Sequence, residues 1–301
     1  MLLKGWRKST LQQYNVYLKK WIIFCEQNKQ KPLKRNKFLV LKFLKRLFKL
    51  NYSYSAINTA RSALSVLFDN PSIGESTLVT RFMKAVYNLR PNLPKYHDTW
   101  EVSTVLRYLQ SLSPVRFLSL QQLSMKLATL LALTTAQRIQ TIHALNLKHC
   151  VFKDNYVMFS VQSILKHSNP NNKTSNCFTI HAFDKNRKIC PVFLLKYYIK
   201  RTEKLRQDDQ LFINNQNPHN ATSKETISRW IKLCLQKAGI NTKKYTTHST
   251  RSASTSAAAA ASVDITTIMK AAKWSNASTF TKHYNRQVAE ESFSAAVLQT
   301  L

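Results

Sequence analysis

Apolar positions along most of the chain recur at spacings of three and four. Leu11, Tyr14, Leu18, Trp21 and Cys25 form one such stripe. It predicts a helix running to about Lys29, with Ser9 or Thr10 able to cap it. Asn36 precedes a second helical stretch, Phe38 to Leu50. Ser53 or Ser55 opens a third that stops near Asn70-Pro71, and a fourth runs from about Ser76 to Asn88. The segment Arg90-Pro91-Asn92-Leu93-Pro94-Lys95-Tyr96 then ends the bundle, because proline and the residue before it resist helical geometry.

Helices are expected again near 101–112 and 119–134. Between Val151 and Phe183 the period changes to two. Val157, Phe159 and Val161, then Phe178 and Ile180, alternate with polar residues around the turn-forming Asn169-Pro170-Asn171-Asn172. That pattern predicts a small antiparallel sheet with a hairpin. Helical spacing returns at Val192–Thr202, Ser223–Ala238, Arg251–Ser262, Ile265–Lys273 and Val288–Leu298. The expected fold is mainly α with a small antiparallel β-sheet (α+β). It comprises a four-helix domain over 1–90, a linker over 91–98 and a second domain over 99–301.

Charge narrows the partner. The formal net charge is +32, and residues 1–95 and 96–301 each carry +16 of it. A basic tail on a neutral enzyme does not fit that distribution. Compact domains so charged repel themselves unless a polyanion neutralises them. Double-stranded DNA is the expected partner, since counterion release favours it, with an anionic membrane as the rival. No run of eighteen apolar residues occurs, so no membrane span is expected, and no signal peptide is expected where Lys4 follows Met1-Leu2-Leu3. The five cysteines are odd in number and lack zinc spacing, which fits a reducing compartment.

Composition also limits the chemistry. The only glycines are Gly5, Gly74 and Gly239, too few for a glycine-rich phosphate loop. Acidic residues number 14, and the only adjacent pairs are Asp208-Asp209 and Glu290-Glu291. A two-metal nuclease would be short of ligands. DNA cleavage by this chain is therefore expected to use no metal and no cofactor.

Three segments stand out. His248-Ser249-Thr250-Arg251 opens a helix, and spacing i, i+3 puts imidazole and guanidinium on one face. Trp274-Ser275-Asn276-Ala277-Ser278-Thr279-Phe280-Thr281-Lys282-His283-Tyr284 follows an alanine-rich helical stretch and ends in a tyrosine. Far upstream, Arg138 punctuates an apolar helix–turn–helix within Thr134-Thr135-Ala136-Gln137-Arg138-Ile139-Gln140-Thr141-Ile142-His143.

Together these segments resemble the tyrosine recombinase (phage integrase) family, in particular the branch found in eukaryotic mobile elements such as DIRS-like and Crypton-like transposons. The likeness extends to Thr10-Leu11-Gln12-Gln13-Tyr14 and to the stretch from Ser53 to Leu64, which are similar to core-binding helices. The resemblance implies a core-binding domain followed by a catalytic domain, and assembly as a tetramer on DNA. It implies cleavage and rejoining of DNA strands through a 3′-phosphotyrosine, with Tyr284 as nucleophile. Arg138 and Arg251 would hold non-bridging oxygens of the scissile phosphate, and His248 would manage the phenol proton. Trp274 would donate its indole N–H, and the hairpin Lys166 would protonate the departing 5′ oxygen, with Lys173 as the alternative.

The chemistry is coherent by itself. Two guanidiniums offer permanently charged forks to a phosphate gathering charge in its transition state. A covalent phosphotyrosine conserves the energy of the broken bond, so rejoining needs no ATP. The chain departs from its relatives at several points. Ala136, Ser262 and Lys273 stand where many relatives have glycine, and Thr141 stands where an acidic residue is usual. Trp274 lies ten residues before Tyr284, one more than the commonest spacing. Other readings are a domesticated DNA-binding protein of the same fold without catalysis, a type IB topoisomerase-like nicking-closing enzyme, and a basic structural binder.

Two surface features extend the reading. Asn58, Arg61, Ser62 and Ser65 form a polar face at helical spacing, suited to a DNA groove or to solvent. Lys29, Lys31, Lys34, Arg35 and Lys37 would serve as a nuclear import signal in a eukaryote, or form a solvated loop.

Overall fold

The computed structural model describes residues 6–69, 71–92, 98–162, 177–274 and 276. The chain forms two compact units, Met1–Lys95 and Tyr96–Leu301.

The first unit holds four helices: α1 (Lys8–Gln27), α2 (Lys37–Lys49), α3 (Tyr54–Leu67) and α4 (Thr77–Leu89). Asn36 caps α2 by accepting from the backbone N–H groups of Phe38 and Leu39, and Ser53 caps α3 by accepting from that of Ala56. α1 starts earlier than expected, so Ser9 and Thr10 lie in its first turn instead of capping it. Trp21 sits at the centre of this unit. Its ring meets Phe43 edge-on at 5.4 Å between centroids, and its indole N–H donates to the Pro32 carbonyl at 2.9 Å. Ile57, Leu64, Val79 and Val86 complete the core, each from the apolar stripe of its own helix. The C-terminal end is fastened by Arg90, which donates to the carbonyls of Phe48 and Tyr52.

The second unit is built around α6 (Leu120–Thr135), buried on nearly every face and therefore apolar on nearly every face. A Ser119/Gln122 capping box starts it. α5 (Val102–Ser111), α8 (Pro191–Thr202), α9 (Lys224–Lys237) and α10 (Ser249–Ala260) pack against it. The short α7 (Ile139–His143) and α11 (Ile265–Ala272) complete the helices among the described residues. Ser124, Lys126, Thr129 and Thr135 are buried polar residues of α6, and Lys126 is the charged one. Lys126 is wholly buried, and its ammonium donates to the Leu112 carbonyl at 2.7 Å.

The sheet has order β1-β2-β3 and is antiparallel throughout, with β1 at Cys150–Phe152, β2 at Tyr156–Ser160 and β3 at Cys177–His181. Val157 pairs with Ile180 and Phe159 with Phe178. Val157, Phe159 and Ile180 face the core, as their alternation predicts. Val161 lies past the end of β2 yet is buried. The fold is therefore mainly helical with one small antiparallel sheet. Among the described residues no helix is long and apolar enough to cross a membrane.

Candidate active site

The site is assembled where three backbone breaks meet. The first is the end of α6. Ala136 takes a left-handed conformation (φ 48°), which turns the chain so that Arg138 occupies the N-cap position of α7 with extended geometry. Arg138 is half-exposed.

The second break is the start of α10. His248 is its N-cap residue and is exposed, while Arg251, in the first turn, is 1% exposed. The two leave the same helix end but differ in depth. One Nη of Arg251 donates to the Ala136 carbonyl at 2.9 Å, and the other donates to the Ala272 carbonyl. Trp100 steadies the same helix end through a 2.9 Å bond from its indole N–H to the Ser249 hydroxyl.

The third break is the end of α11. Lys273 is left-handed (φ 53°), and the Trp274 N–H returns to the Met269 carbonyl at 3.0 Å. The Lys273 N–H bonds Lys270 at 3.2 Å, giving a closed C-terminal turn. The next two carbonyls are satisfied by side chains from elsewhere: Ala271 accepts from Gln137 Nε2 at 2.6 Å and Ala272 from Arg251. Trp274 packs with Ala136, Ile268 and Ala272, and the Arg251 guanidinium lies 4.7 Å from its ring centroid.

Arg251 and Trp274 are thus in contact, and both touch Ala136, two residues before Arg138. Lys166, its alternative Lys173, and Tyr284 lie outside the described residues. Ala136, Ser262 and Lys273, which replace glycines of the resembling family, all have left-handed backbones, with φ of 48°, 59° and 53°. The backbone conformation that glycine favours is kept without glycine. Gln137 and Trp100 were not singled out from the sequence, since nothing in their spacing distinguishes them from core residues.

Electrostatics separate the candidate groups. Burial pushes the Lys273 ammonium below its ordinary value, opposed by the nearby Cys177. Burial raises the Tyr245 phenol, with the Asp98 carboxylate adding to the rise and Lys244 opposing it. Tyr245 is therefore a poor source of phenolate. Among the described residues no cluster of three or more His, Cys, Asp or Glu side chains is placed to hold a metal.

In the first unit, Arg61 Nη1 donates to the Gly74 carbonyl at 3.2 Å, and the Ser65 hydroxyl donates to the Arg61 carbonyl at 2.9 Å. Arg61 thus holds the turn that follows α3, the Ser65 bond lies within the helix, and Asn58 and Ser62 are half-exposed.

The fold is similar to those of several solved proteins. The Tn1549 transposon integrase in complex with transposon right end DNA superposes with a TM-score of 0.62 at 15% identity, covering 97% of this chain and 98% of that one. A lambda integrase tetramer bound to a Holliday junction gives 0.58 at 15% identity, covering 96% and 75%. The XerH site-specific recombinase bound to palindromic difH substrate gives 0.57 at 15% identity, covering 82% and 67%. No curated protein matches the sequence. The family model described as the phage integrase family matches residues 101–291, nearly the whole of the second unit. The chain belongs to the phage integrase family, the tyrosine recombinases.

Proposed function

We propose that the chain cleaves and rejoins DNA strands by covalent phosphotyrosine chemistry, with Tyr284 as nucleophile. The observation that carries this reading is the convergence of Arg251 and Trp274 on the backbone corner that presents Arg138. The Tyr284 phenol oxygen attacks phosphorus, its proton passing to His248. The bond to the 5′ oxygen breaks, and Lys166 (or Lys173) supplies the proton to that oxygen. The DNA 3′ phosphate is left esterified to tyrosine, and attack by a 5′ hydroxyl reverses the sequence.

Arg138 and Arg251 hold the non-bridging oxygens. A guanidinium has five N–H donors, so holding two carbonyls does not exhaust Arg251. The N-terminal end of α10 adds its positive dipole to the same place. Each step uses side chains of the chain itself and no metal or cofactor.

Residues 1–90 act as the core-binding domain, 91–98 as the linker and 99–301 as the catalytic domain. Asn58, Arg61, Ser62 and Ser65 face DNA in this reading. Assembly is as a homotetramer on DNA, by analogy with the lambda integrase tetramer on its junction. In this reading the departures at Ala136 and Thr141 are those of the eukaryotic mobile-element branch, which would place the protein in a nucleus.

The test is a nicked suicide substrate with labelled DNA, resolved on a denaturing protein gel. The unaltered chain forms an adduct, also in EDTA. Tyr284→Phe binds DNA and forms none, while Tyr245→Phe forms it normally. Binding without any adduct from the unaltered chain would leave the DNA-binding reading in its place.

A further inference from the structure

We infer that Gln137 is a positioning residue of the active site, acting through the last turn of α11 on both Arg138 and Trp274. The inference rests on the recombinase reading above. Gln137 is 3% exposed, and its amide nitrogen donates to the Ala271 carbonyl at 2.6 Å across 134 residues of sequence. The same nitrogen reaches the Thr135 carbonyl at 3.4 Å, and the Gln137 backbone N–H donates to the Thr135 hydroxyl at 3.3 Å.

The argument comes from the carbonyls. A helix ends with four carbonyls lacking intrahelical donors. In α11 these belong to Met269, Lys270, Ala271 and Ala272. The first two are closed by the backbone of Trp274 and Lys273. The last two are held by Gln137 and Arg251, one from each side of the corner at Ala136. Arg251 returns to that corner through the Ala136 carbonyl. Two side chains therefore tie two consecutive peptide groups of α11 to the Ala136–Gln137 corner. The loop of atoms so closed carries Arg138 on one side and Trp274 on the other.

Apolar packing against Ala136 holds the α11 terminus with little directionality, and the bond from Gln137 beside that from Arg251 fixes the orientation of its last two peptide groups. Displacements of about 1 Å in a catalytic array cost about a hundredfold in rate. Gln137 itself needs no contact with DNA for this role, because it acts through the groups it holds.

The experiment measures single-turnover cleavage of the suicide substrate at saturating DNA, alongside DNA affinity. Gln137→Leu keeps the volume and removes the donor. Its expected cleavage is 10- to 100-fold slower, with affinity within twofold of the unaltered chain. Gln140→Ala, an exposed neighbour on α7, serves as the unchanged control. In a double-mutant cycle the losses from Gln137→Leu and Trp274→Phe should be less than additive, since each disturbs the same contact array. Gln137→Met keeps the length of the side chain and is the second variant should Gln137→Leu not fold.

A cleavage rate within twofold of the unaltered chain overturns the inference. So do full additivity with Trp274→Phe, a parallel fall in DNA affinity, or failure of both variants to fold. Absence of adduct from the unaltered chain counts against the recombinase reading; adduct from the unaltered chain with equal rates counts against Gln137 alone.

Discussion

The guanidinium of Arg251 lies against the Trp274 ring at 4.7 Å, and both side chains are buried, at 1% and 8% exposure. The indole face offers a buried cation the negative end of its quadrupole, while the Ala136 and Ala272 carbonyls satisfy two of its donors. A tryptophan at this place thus has a structural consequence besides any N–H it offers a phosphate. It forms one wall of the arginine's site.

The first prediction separates the two arginines. Arg251→Ala strands two buried carbonyls, each worth about 1–3 kcal/mol when left without a donor. It should lower the melting temperature as well as cleavage. Arg138 is half-exposed, so Arg138→Ala should reduce cleavage by orders of magnitude with little change in melting. Thermal melts beside the adduct assay decide the matter. Equal melting losses in both variants would contradict the difference in depth.

The helices and the sheet were legible because burial imposes periodicity, and the apolar stripes of α2, α4 and α9 satisfied it. β1 spans only three residues, too few for alternation to register. Residue type and order were enough to propose Arg138, His248, Arg251 and Trp274 as site residues. The architecture of the site was not legible. Nothing in the composition says that Arg251 bonds to Ala136 across 115 residues, or that Gln137 reaches Ala271. Nor did helical spacing reveal that Arg61 would turn to the Gly74 carbonyl, because a polar face looks the same whether it meets DNA, solvent or the protein's own backbone.

Ser262 provides a stability prediction. It is exposed, left-handed at φ 59°, and closes the end of α10 with its N–H on the Ala259 carbonyl at 3.0 Å. The left-handed region costs a non-glycine residue about 1–2 kcal/mol. Glycine returns roughly 0.5–1 kcal/mol of that through its freer unfolded chain. Ser262→Gly should therefore stabilise the protein by up to about 1.5 kcal/mol. Ala136→Gly should gain less, since its methyl packs on Ile268 and Trp274. Chemical denaturation measures both, and a fall in the midpoint for Ser262→Gly would refute the account.

Lys126 predicts a pH dependence. Burial pushes its ammonium down to about 8, with neighbouring Lys188 acting in the same direction. A lysine depressed in the folded state binds its proton more weakly there than when unfolded. The penalty is fully present below about pH 8, and it is relieved as pH rises from there toward the unfolded value near 10.5. This group therefore makes stability rise with pH across that window. Lys126→Met should flatten this part of the profile, while losing the bond to the Leu112 carbonyl. Unfolding midpoints for both proteins between pH 7 and 10 test the sign, and parallel curves would exclude the assignment.

The last prediction concerns how DNA is held. With +32 charges divided equally between 1–95 and 96–301, affinity should fall steeply and linearly on a logarithmic salt scale as counterions are displaced. A flat affinity between low and moderate salt would remove nucleic acid as the main partner. Within that electrostatic background, α3 needs a finer test. Arg61 bonds the Gly74 carbonyl and Ser65 bonds back to Arg61, so substituting either disturbs the fold of the first unit along with any DNA contact. Asn58 and Ser62 are the cleaner probes. If Asn58 reads a base edge, Asn58→Ala should cost about 1–3 kcal/mol on the preferred sequence and nearly nothing on unrelated DNA. The salt slope should stay unchanged, because no phosphate contact is lost. If α3 lies only against the backbone, the loss should be equal on all sequences. Affinities on two sequences at four salt concentrations distinguish these outcomes. No change in either variant at any salt would take this face of α3 out of the DNA interface.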